Sequence, residues 1–245
     1  ALVTGASAGL GACYARRLAP SCSRLVLVAR RRDRLEALAA ELAGHCAIDT
    51  LVADLASTEG QARVTEAIRQ GPPLSLLINN AGFSTFGPFA QSVLDDELAM
   101  LRLHQEATLT LTRAALPAMR DAGCGAVINV ASIGAFPAMP AVATYGATKA
   151  FLVSFSRSLR SELQGTGLRV QCLCPGYTRT EIHSRETFRG FDASRVPEAL
   201  WMEAGEVVGE SLDALVADDD RWLVVTGAKN RELSRRALTE LVEAL

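Results

Sequence analysis

Excess positive charge, aromatic side chains, histidine and unbroken apolar spans are all scarce in this chain. Its 245 residues carry 25 Lys and Arg against 27 Asp and Glu, a formal net charge of −2. No overall positive field recruits nucleic acid or an anionic membrane surface. Aromatics make up only 5% of the residues, too few for the stacking platforms that hold single strands. Nucleic acid is therefore not an expected partner. Residues 122–148 carry no charged side chain, long enough on paper to cross a bilayer. Asn129, Ser132, Pro137, Pro140 and several glycines interrupt the stretch, and backbone groups freed there would be unsatisfied in lipid. It reads as a buried strand, a loop and a helix start, so no membrane span is expected. No N-terminal apolar signal precedes a Lys/Arg cluster. The chain opens at Ala1, inside an expected strand and without a Met, which leaves open what precedes it.

Metal ligands in a regular spacing are also missing. Of the three histidines, His45 and His183 read as ordinary surface or loop residues. The six cysteines (13, 22, 46, 124, 172 and 174) are scattered through a well-cored chain. They fit small buried hydrophobes in a reducing compartment, and a cytoplasmic protein is the expectation. Cys172 and Cys174 sit two apart on one face of an expected strand, but no further ligands join them at metal-site spacing. No metal is expected.

Repeats, low-complexity linkers and charge-block tails are absent as well. What is present is 49% hydrophobic and 21% charged residues, enough to fill a sizeable core. One domain over residues 1–245 is the simplest organisation for this length. Short apolar runs at 1–4, 24–29, 50–53, 74–79, 126–131, 169–174 and 222–225 read as strands. Helical patterns lie between them near 10–19, 32–43, 58–70, 93–120, 144–164, 206–217 and 230–244. Such alternation, with continuous apolar strands, is the signature of an α/β parallel sheet covered on both faces. In the last helix Leu233, Ala237, Leu238, Leu241, Val242 and Leu245 recur at helical spacing, a stripe expected to dock on the core, with an oligomer contact as the second use.

Directly after the first strand comes Thr4-Gly5-Ala6-Ser7-Ala8-Gly9-Leu10-Gly11, then a helix. Glycines permit a tight turn and let backbone amides approach an anion, while the helix N-terminus adds a favourable dipole. A dinucleotide with a free ribose 2′-hydroxyl calls for an acid about 20 positions on. Here the second strand ends at Ala29 and continues Arg30-Arg31-Arg32-Asp33-Arg34. A guanidinium holds a 2′-phosphate bidentately, so NADP(H) is favoured over NAD(H), with Arg30 at the strand edge as its ligand. Arg31, Arg32 and Arg34 fit a solvated first turn of the next helix.

Tyr145 and Lys149 form Y-x-x-x-K on one face of a helical pattern, and Ser132 lies just beyond an apolar strand. A free phenol has a pKa of about 10, too high for proton shuttling at neutral pH. A neighbouring ammonium favours the phenolate, and a hydroxyl such as Ser132 can hold a carbonyl oxygen or developing alkoxide.

These features together resemble the short-chain dehydrogenase/reductase family. The match comprises the turn at Thr4–Gly11, Asp54-Leu55, Asn79-Asn80-Ala81-Gly82, Ser132, Tyr145-Gly146-Ala147-Thr148-Lys149 and Pro175-Gly176, in the family's order over residues 1–180. The resemblance implies a Rossmann-type, doubly wound sheet of about seven strands and hydride transfer between a nicotinamide and a carbonyl or alcohol. It implies Tyr145 as acid/base, Ser132 as substrate orienter, and Lys149 lowering the Tyr pKa and holding the nicotinamide ribose. Gly5, Ser7, Gly9, Leu10 and Gly11 would cradle the phosphates, with Asp54 and Leu55 at the adenine. Asn80, Ala81 and Gly82 would shape the floor, and Pro175, Gly176, Thr178 and Thr180 the nicotinamide end. The family's dimer or tetramer on long helices is implied in the same way.

Three departures stand out. Counting back from Leu116-Pro117-Ala118-Met119, His104 replaces the family's catalytic Asn, which positions a water largely through its backbone carbonyl. A His there is tolerated, relays protons itself with a pKa near about 6.5, or impairs turnover. Ala8 stands where NADP-dependent members often carry a base, leaving the 2′-phosphate to Arg30 with Ser7. Thr226-Gly227-Ala228-Lys229-Asn230 replaces the Asp-Gly-Gly ending of the acyl-carrier-protein reductase branch, a poor match.

Residues 178–202 occupy the family's substrate-lid position and contain Phe188, Phe191, Leu200, Trp201 and Met202. Phe83, Phe86, Phe136 and Met139 follow the fourth and fifth strands. Half of these are expected to pack the lid onto the core; the rest imply an apolar pocket for a hydrophobic ketone, aldehyde or secondary alcohol. Arg185, Arg189 and Arg195 read as solvated, and Lys229 and the C-terminal arginines as helix-surface charge. The expected function is an NADP(H)-dependent oxidoreductase. The alternative is a non-catalytic NADP-sensing or interaction protein on the same fold, which needs none of Ser132, Tyr145 and Lys149 for binding. A Rossmann-type methyltransferase would explain the glycine turn but not the Tyr/Lys pair.

Overall fold

Strands buried on both faces need no polar alternation, and the apolar runs accordingly form a parallel sheet. The structure, a computed structural model, describes residues 1–184, 186–217 and 221–243. Its strands are β1 (Leu2–Thr4), β2 (Arg24–Ala29), β3 (Ala47–Val52), β4 (Leu76–Asn79), β5 (Gly125–Val130), β6 (Leu168–Cys174), β7 (Tyr177–Arg179), β8 (Trp201–Glu203) and β9 (Leu223–Val225). The helices are α1 (Gly9–Leu18), α2 (Arg32–Leu42), α3 (Thr58–Gln70), α4 (Leu94–Leu101), α5 (Ala107–Ala122), α6 (Ala143–Glu162), α7 (Ala204–Val216) and α8 (Ala228–Glu243). Seven strands pair in the order β3-β2-β1-β4-β5-β6-β9, all parallel. This is the expected doubly wound, Rossmann-type α/β fold. The order reverses between β1 and β4, and that switch point opens a crevice at the carboxyl ends of the strands.

Successive strand side chains point to opposite faces and so feed two cores. On one face Val3, Leu25, Leu27, Ile78 and Ile128 pack with Tyr14 and Ala15 of α1, Leu35 and Leu38 of α2, and Val207 and Val208 of α7. On the other, Leu2, Val28, Leu77 and Val127 pack with Val64 and Ile68 of α3 and Leu111, Ala115 and Met119 of α5. Cys172 and Cys174 are buried in a smaller cluster with Ala131 and Leu152. No helix among the described residues is long and apolar enough to cross a membrane.

Three expectations need correction. The single helix expected over 93–120 runs on but is irregular: a π-helical turn at Arg102–Glu106 joins α4 to α5 and carries His104. Two strands were not among the seven expected runs: β7 and β8 pair in parallel as a separate two-stranded ladder. Among the described residues of the last helix's apolar stripe, Ala237 alone is buried. Leu233, Leu238, Leu241 and Val242 are exposed, and α8 buries Asn230 and Ser234 beside Ala237. Its neighbour in the stripe, Leu245, lies outside the described residues, as do Arg185 and the side chain of His183.

A polar chain crosses the second face. Asn79 of β4 donates to Thr112 of α5 at 3.0 Å and to Asn129 of β5 at 2.9 Å, and Asn129 donates to Ser156 of α6 at 2.9 Å. All four side chains are buried, so each bond lost leaves a polar atom with no water to replace it. Asn129→Ala is expected to destabilise the fold by about 1–3 kcal/mol, read as a lower urea midpoint at unchanged slope. A midpoint within error of the parent would remove this chain from the fold's stabilising features.

Candidate active site

The crevice at the switch point is framed by one hydroxyl. Thr4, last residue of β1, donates to the Ile78 carbonyl at 3.1 Å and accepts from the amides of Asn80 and Ala81 at 2.8 and 3.0 Å. Asn80 Nδ2 returns a bond to the Thr4 carbonyl at 2.8 Å. Above this tie the chain turns through Gly5 and Gly9, with φ of 67° and 53°. A Cβ on Gly5 would stand 2.8 Å from Asn80 Nδ2 and 2.9 Å from Ala81 Cα, so only glycine fits. Gly11 is likewise pressed onto the Gly5 carbonyl and Asn80. No acidic side chain lies in the first turn of α1, which leaves its amide dipoles free to meet an anion.

A cavity of about 710 Å³ runs along this edge of the sheet. Gly5, Ser7, Gly9, Leu10, Arg30, Asp54, Leu55, Asn80, Ala81, Gly82, Pro175, Gly176, Thr178 and Thr180 all line it. So do His104, Ser132, Tyr145 and Lys149. Gly11 does not; it is a packing glycine beneath the turn. The shape and polarity suit a dinucleotide: a cradle closed to Cβ atoms at one end and a row of strand termini beneath.

The arginines are distributed differently from the sequence reading. Arg30 is 62% exposed, with its guanidinium 3.9 Å from the Asp54 carboxylate. Arg31, expected to be a solvated first-turn residue, instead lines the cavity, and its Nη2 donates to Ser7 Oγ at 3.1 Å. Arg31 is the N-cap of α2 in an extended conformation, which turns its side chain back towards the glycine turn. Arg32 and Arg189 are solvated as expected. Arg231 is less so, bonded to Glu210 and to the Val225 carbonyl.

At the other end, Ser132 and Tyr145 converge on Gly134. A Cβ there would lie 3.4 Å from both Ser132 Oγ and Tyr145 Cε1. Lys149 is buried, donates from Nζ to the Val130 carbonyl at 2.9 Å, and has Nζ 5.5 Å from the Tyr145 ring centroid. Burial pushes the Lys149 ammonium down to about 8. Burial also raises the Tyr145 phenol, with hydrogen bonding from Ser132 opposing it. Lys149, expected to lower the phenol, is not among the groups that shift it; desolvation governs its pKa.

His104 is buried in its π turn, a helix irregularity frequent at functional sites. Thr148 donates its hydroxyl proton to the Tyr145 carbonyl at 2.8 Å, so it can only accept from His104 Nδ1, 2.8 Å away. The Nε2 atom then accepts from the Phe83 amide at 3.3 Å. This fixes one neutral tautomer. Burial, and next the Lys149 charge, hold the imidazole well below its usual pKa.

Of the apolar residues singled out in the sequence, Phe83, Phe86, Met139, Phe188, Phe191 and Leu200 line the cavity. Phe136 packs beside Ala131 and Leu152, Met202 joins the core under α7, and Trp201 stands behind Tyr177, 5.5 Å between centroids. Phe86, Phe188 and Phe191 form one aromatic group with centroids 4.8–5.7 Å apart. The backbone joins it: Phe86 N donates to the Thr187 carbonyl at 3.0 Å. Arg31, Tyr177, Glu181, Leu233, Ser234 and Ala237 line the cavity too and were missed. Arg31, Tyr177 and Glu181 had a local signal, standing beside Arg30, Gly176 and Thr180; the others reach the site by tertiary packing.

A sequence model of the family described as short chain dehydrogenase matches residues 1–188. This chain belongs to the short-chain dehydrogenases. As a member of that family it is an oxidoreductase. It is 36% identical over 218 residues to sulfoacetaldehyde reductase 2 of Chromohalobacter salexigens, covering 88% of this chain and 85% of that one. It is 34% identical over 196 residues to an NADP-dependent 3-hydroxy acid dehydrogenase of Salmonella typhi, covering 78% and 77%. Among solved structures, a short-chain dehydrogenase from Sphingobium yanoikuyae in complex with NADPH superposes with a TM-score of 0.85 at 35% identity, over 100% of this chain and 95% of that one. A bulky-bulky ketone specific alcohol dehydrogenase from Comamonas testosteroni gives 0.81 at 30% identity, over 100% and 93%.

The His104 environment has a pH consequence. Unfolded, the imidazole titrates at about 6.5, whereas folded it resists the proton to lower pH. Below that value the unfolded chain binds more protons, so stability falls as pH drops. The urea midpoint of the parent is expected to fall between about pH 7.5 and 5.5 by more than that of His104→Asn. Equal falls would show that His104 takes up its proton in the folded state.

Proposed function

We propose that this short-chain dehydrogenase is NADP(H)-dependent and reduces a hydrophobic ketone or aldehyde, or oxidises the matching secondary alcohol. The observation that carries the reading is the convergence of Ser132 and Tyr145 on Gly134, with Lys149 behind the phenol, at the mouth of an aromatic-lined cavity. The cradle from Gly5 to Leu10 would hold the pyrophosphate, Lys149 the nicotinamide ribose, and Arg31 with Ser7 and Arg30 the 2′-phosphate. The chemistry such a cofactor supplies when bound is hydride donation or acceptance.

The chain's own residues handle the proton and the substrate. Tyr145 gives its phenolic proton to the carbonyl oxygen, and its raised pKa keeps that proton in place at neutral pH. Ser132 holds the same oxygen as negative charge develops on it. Lys149 favours the phenolate left behind, which must be reprotonated before the next turnover. His104 supports the pair from below: through Thr148 it fixes the Tyr145 backbone, with both ring nitrogens already engaged. That favours bracing over a proton relay through the imidazole. The aromatic group of Phe86, Phe188 and Phe191 excludes water and suits a substrate with a ring or other bulky apolar part. A small-molecule carbonyl or alcohol is thus the proposed partner, and a homodimer or homotetramer the proposed assembly.

Tyr145→Phe is expected to lower turnover with NADPH and an aromatic ketone by about 10²–10⁴-fold, with NADPH binding by fluorescence titration nearly unchanged. Near-parental turnover would sink the mechanism. Arg31→Ala is expected to weaken NADPH by about tenfold or more while altering NADH little. Equal losses for both cofactors would mean Arg31 does not meet the 2′-phosphate.

A further inference from the structure

The glycine turn and the segment following β7 meet at one point. Thr180 rests against Gly9, where a Cβ would come within 3.1 Å of its Cγ2. The next residue, Glu181, reaches across to the start of α2. Its Oε2 accepts from Arg31 Nη1 at 2.8 Å and its Oε1 from Arg34 Nη1 at 2.6 Å. Arg31 meanwhile donates from Nε and Nη2 to Ser7 Oγ at 3.3 and 3.1 Å. One guanidinium is therefore shared between the phosphate turn and a carboxylate from 150 residues further along. The two arginines hold the Glu181 carboxyl below the usual carboxylate range.

We infer that the Glu181 carboxylate is a stand-in for the cofactor's 2′-phosphate: it occupies Arg31 until NADP(H) displaces it, while its bond to Arg34 remains. This rests on the seat of Arg31 and Ser7 proposed above. A carboxylate and a phosphate monoester present the same oxygen fork to a guanidinium. The monoester carries about −1.5 to −2 charges and three acceptor oxygens, against one charge and two oxygens for Glu181, so it wins the contest for Arg31. The ribose hydroxyl of NAD(H) is neutral and leaves the ion pair in place. Both side chains of the pair are a little over a third exposed, 37% and 38%, so solvent and salt screen it and displacement is feasible. Glu181 thus sets cofactor discrimination by competing for Arg31, and its hold on α2 is loosened only by a cofactor bearing the extra phosphate.

The test measures dissociation constants of adenosine 2′,5′-bisphosphate, 5′-AMP, NADPH and NADH for the parent and Glu181→Gln. The variant is expected to bind the bisphosphate and NADPH about three- to fivefold more tightly, the size of a screened ion pair, with AMP and NADH unchanged. Unchanged or weaker bisphosphate binding in the variant overturns the inference, as does a parent and variant that bind none. A parent binding NADPH no better than NADH would overturn the cofactor preference instead. The inference about Glu181 would still stand or fall on the variant-to-parent ratio for the bisphosphate.

Discussion

The Thr4 hydroxyl ties the end of β1 to the end of β4 at the point where the strand order reverses. A single side chain there satisfies two backbone amides and gives up its own proton, so three polar groups at a buried seam are paired at once. With the two strand ends held together, the glycine turn has a fixed base and Asn80 can close onto the Thr4 carbonyl. The absence of a Cβ at Gly5 follows from that closeness. The crevice, its cradle and the floor under it all depend on this one tie.

Further along the sheet edge the governing effect is desolvation. It acts in opposite directions on neighbouring groups: the Tyr145 phenol keeps its proton while Lys149 and His104 release theirs more readily. A neutral His104 beside an ammonium is the arrangement with fewer charges in a dry place. Its tautomer is dictated by Thr148, whose own proton is committed to the Tyr145 carbonyl. The π turn carries the buried imidazole that makes both contacts.

Much of the fold was legible because its signals are local. Seven apolar runs, the glycine turn after the first and the Tyr/Lys spacing each occupy a few consecutive residues. Boundaries moved by a few residues: β3 begins at Ala47, not at 50, and β4 at Leu76, not at 74. The π turn at Arg102–Glu106 was illegible because no Pro or Gly marks it. The stripe on α8 was misread for a different reason. Periodicity identifies an amphipathic face but not what lies opposite it, and here Ala237 is buried with Asn230 and Ser234 while Leu238, Leu241 and Val242 are exposed.

By itself the sequence determined the alternation of strands and helices, the anion-binding turn and the identity of the groups that carry proton chemistry, since each rests on residue type and short-range spacing. Only the tertiary structure decided which arginine faces the glycine turn, that Glu181 lies against it, and which aromatic residues enclose the cavity. It also decided that burial rather than Lys149 governs the Tyr145 phenol. The reason is physical. Charge state and pocket shape depend on how much water remains around a group and on what stands across from it, and both are set by residues far apart in the chain.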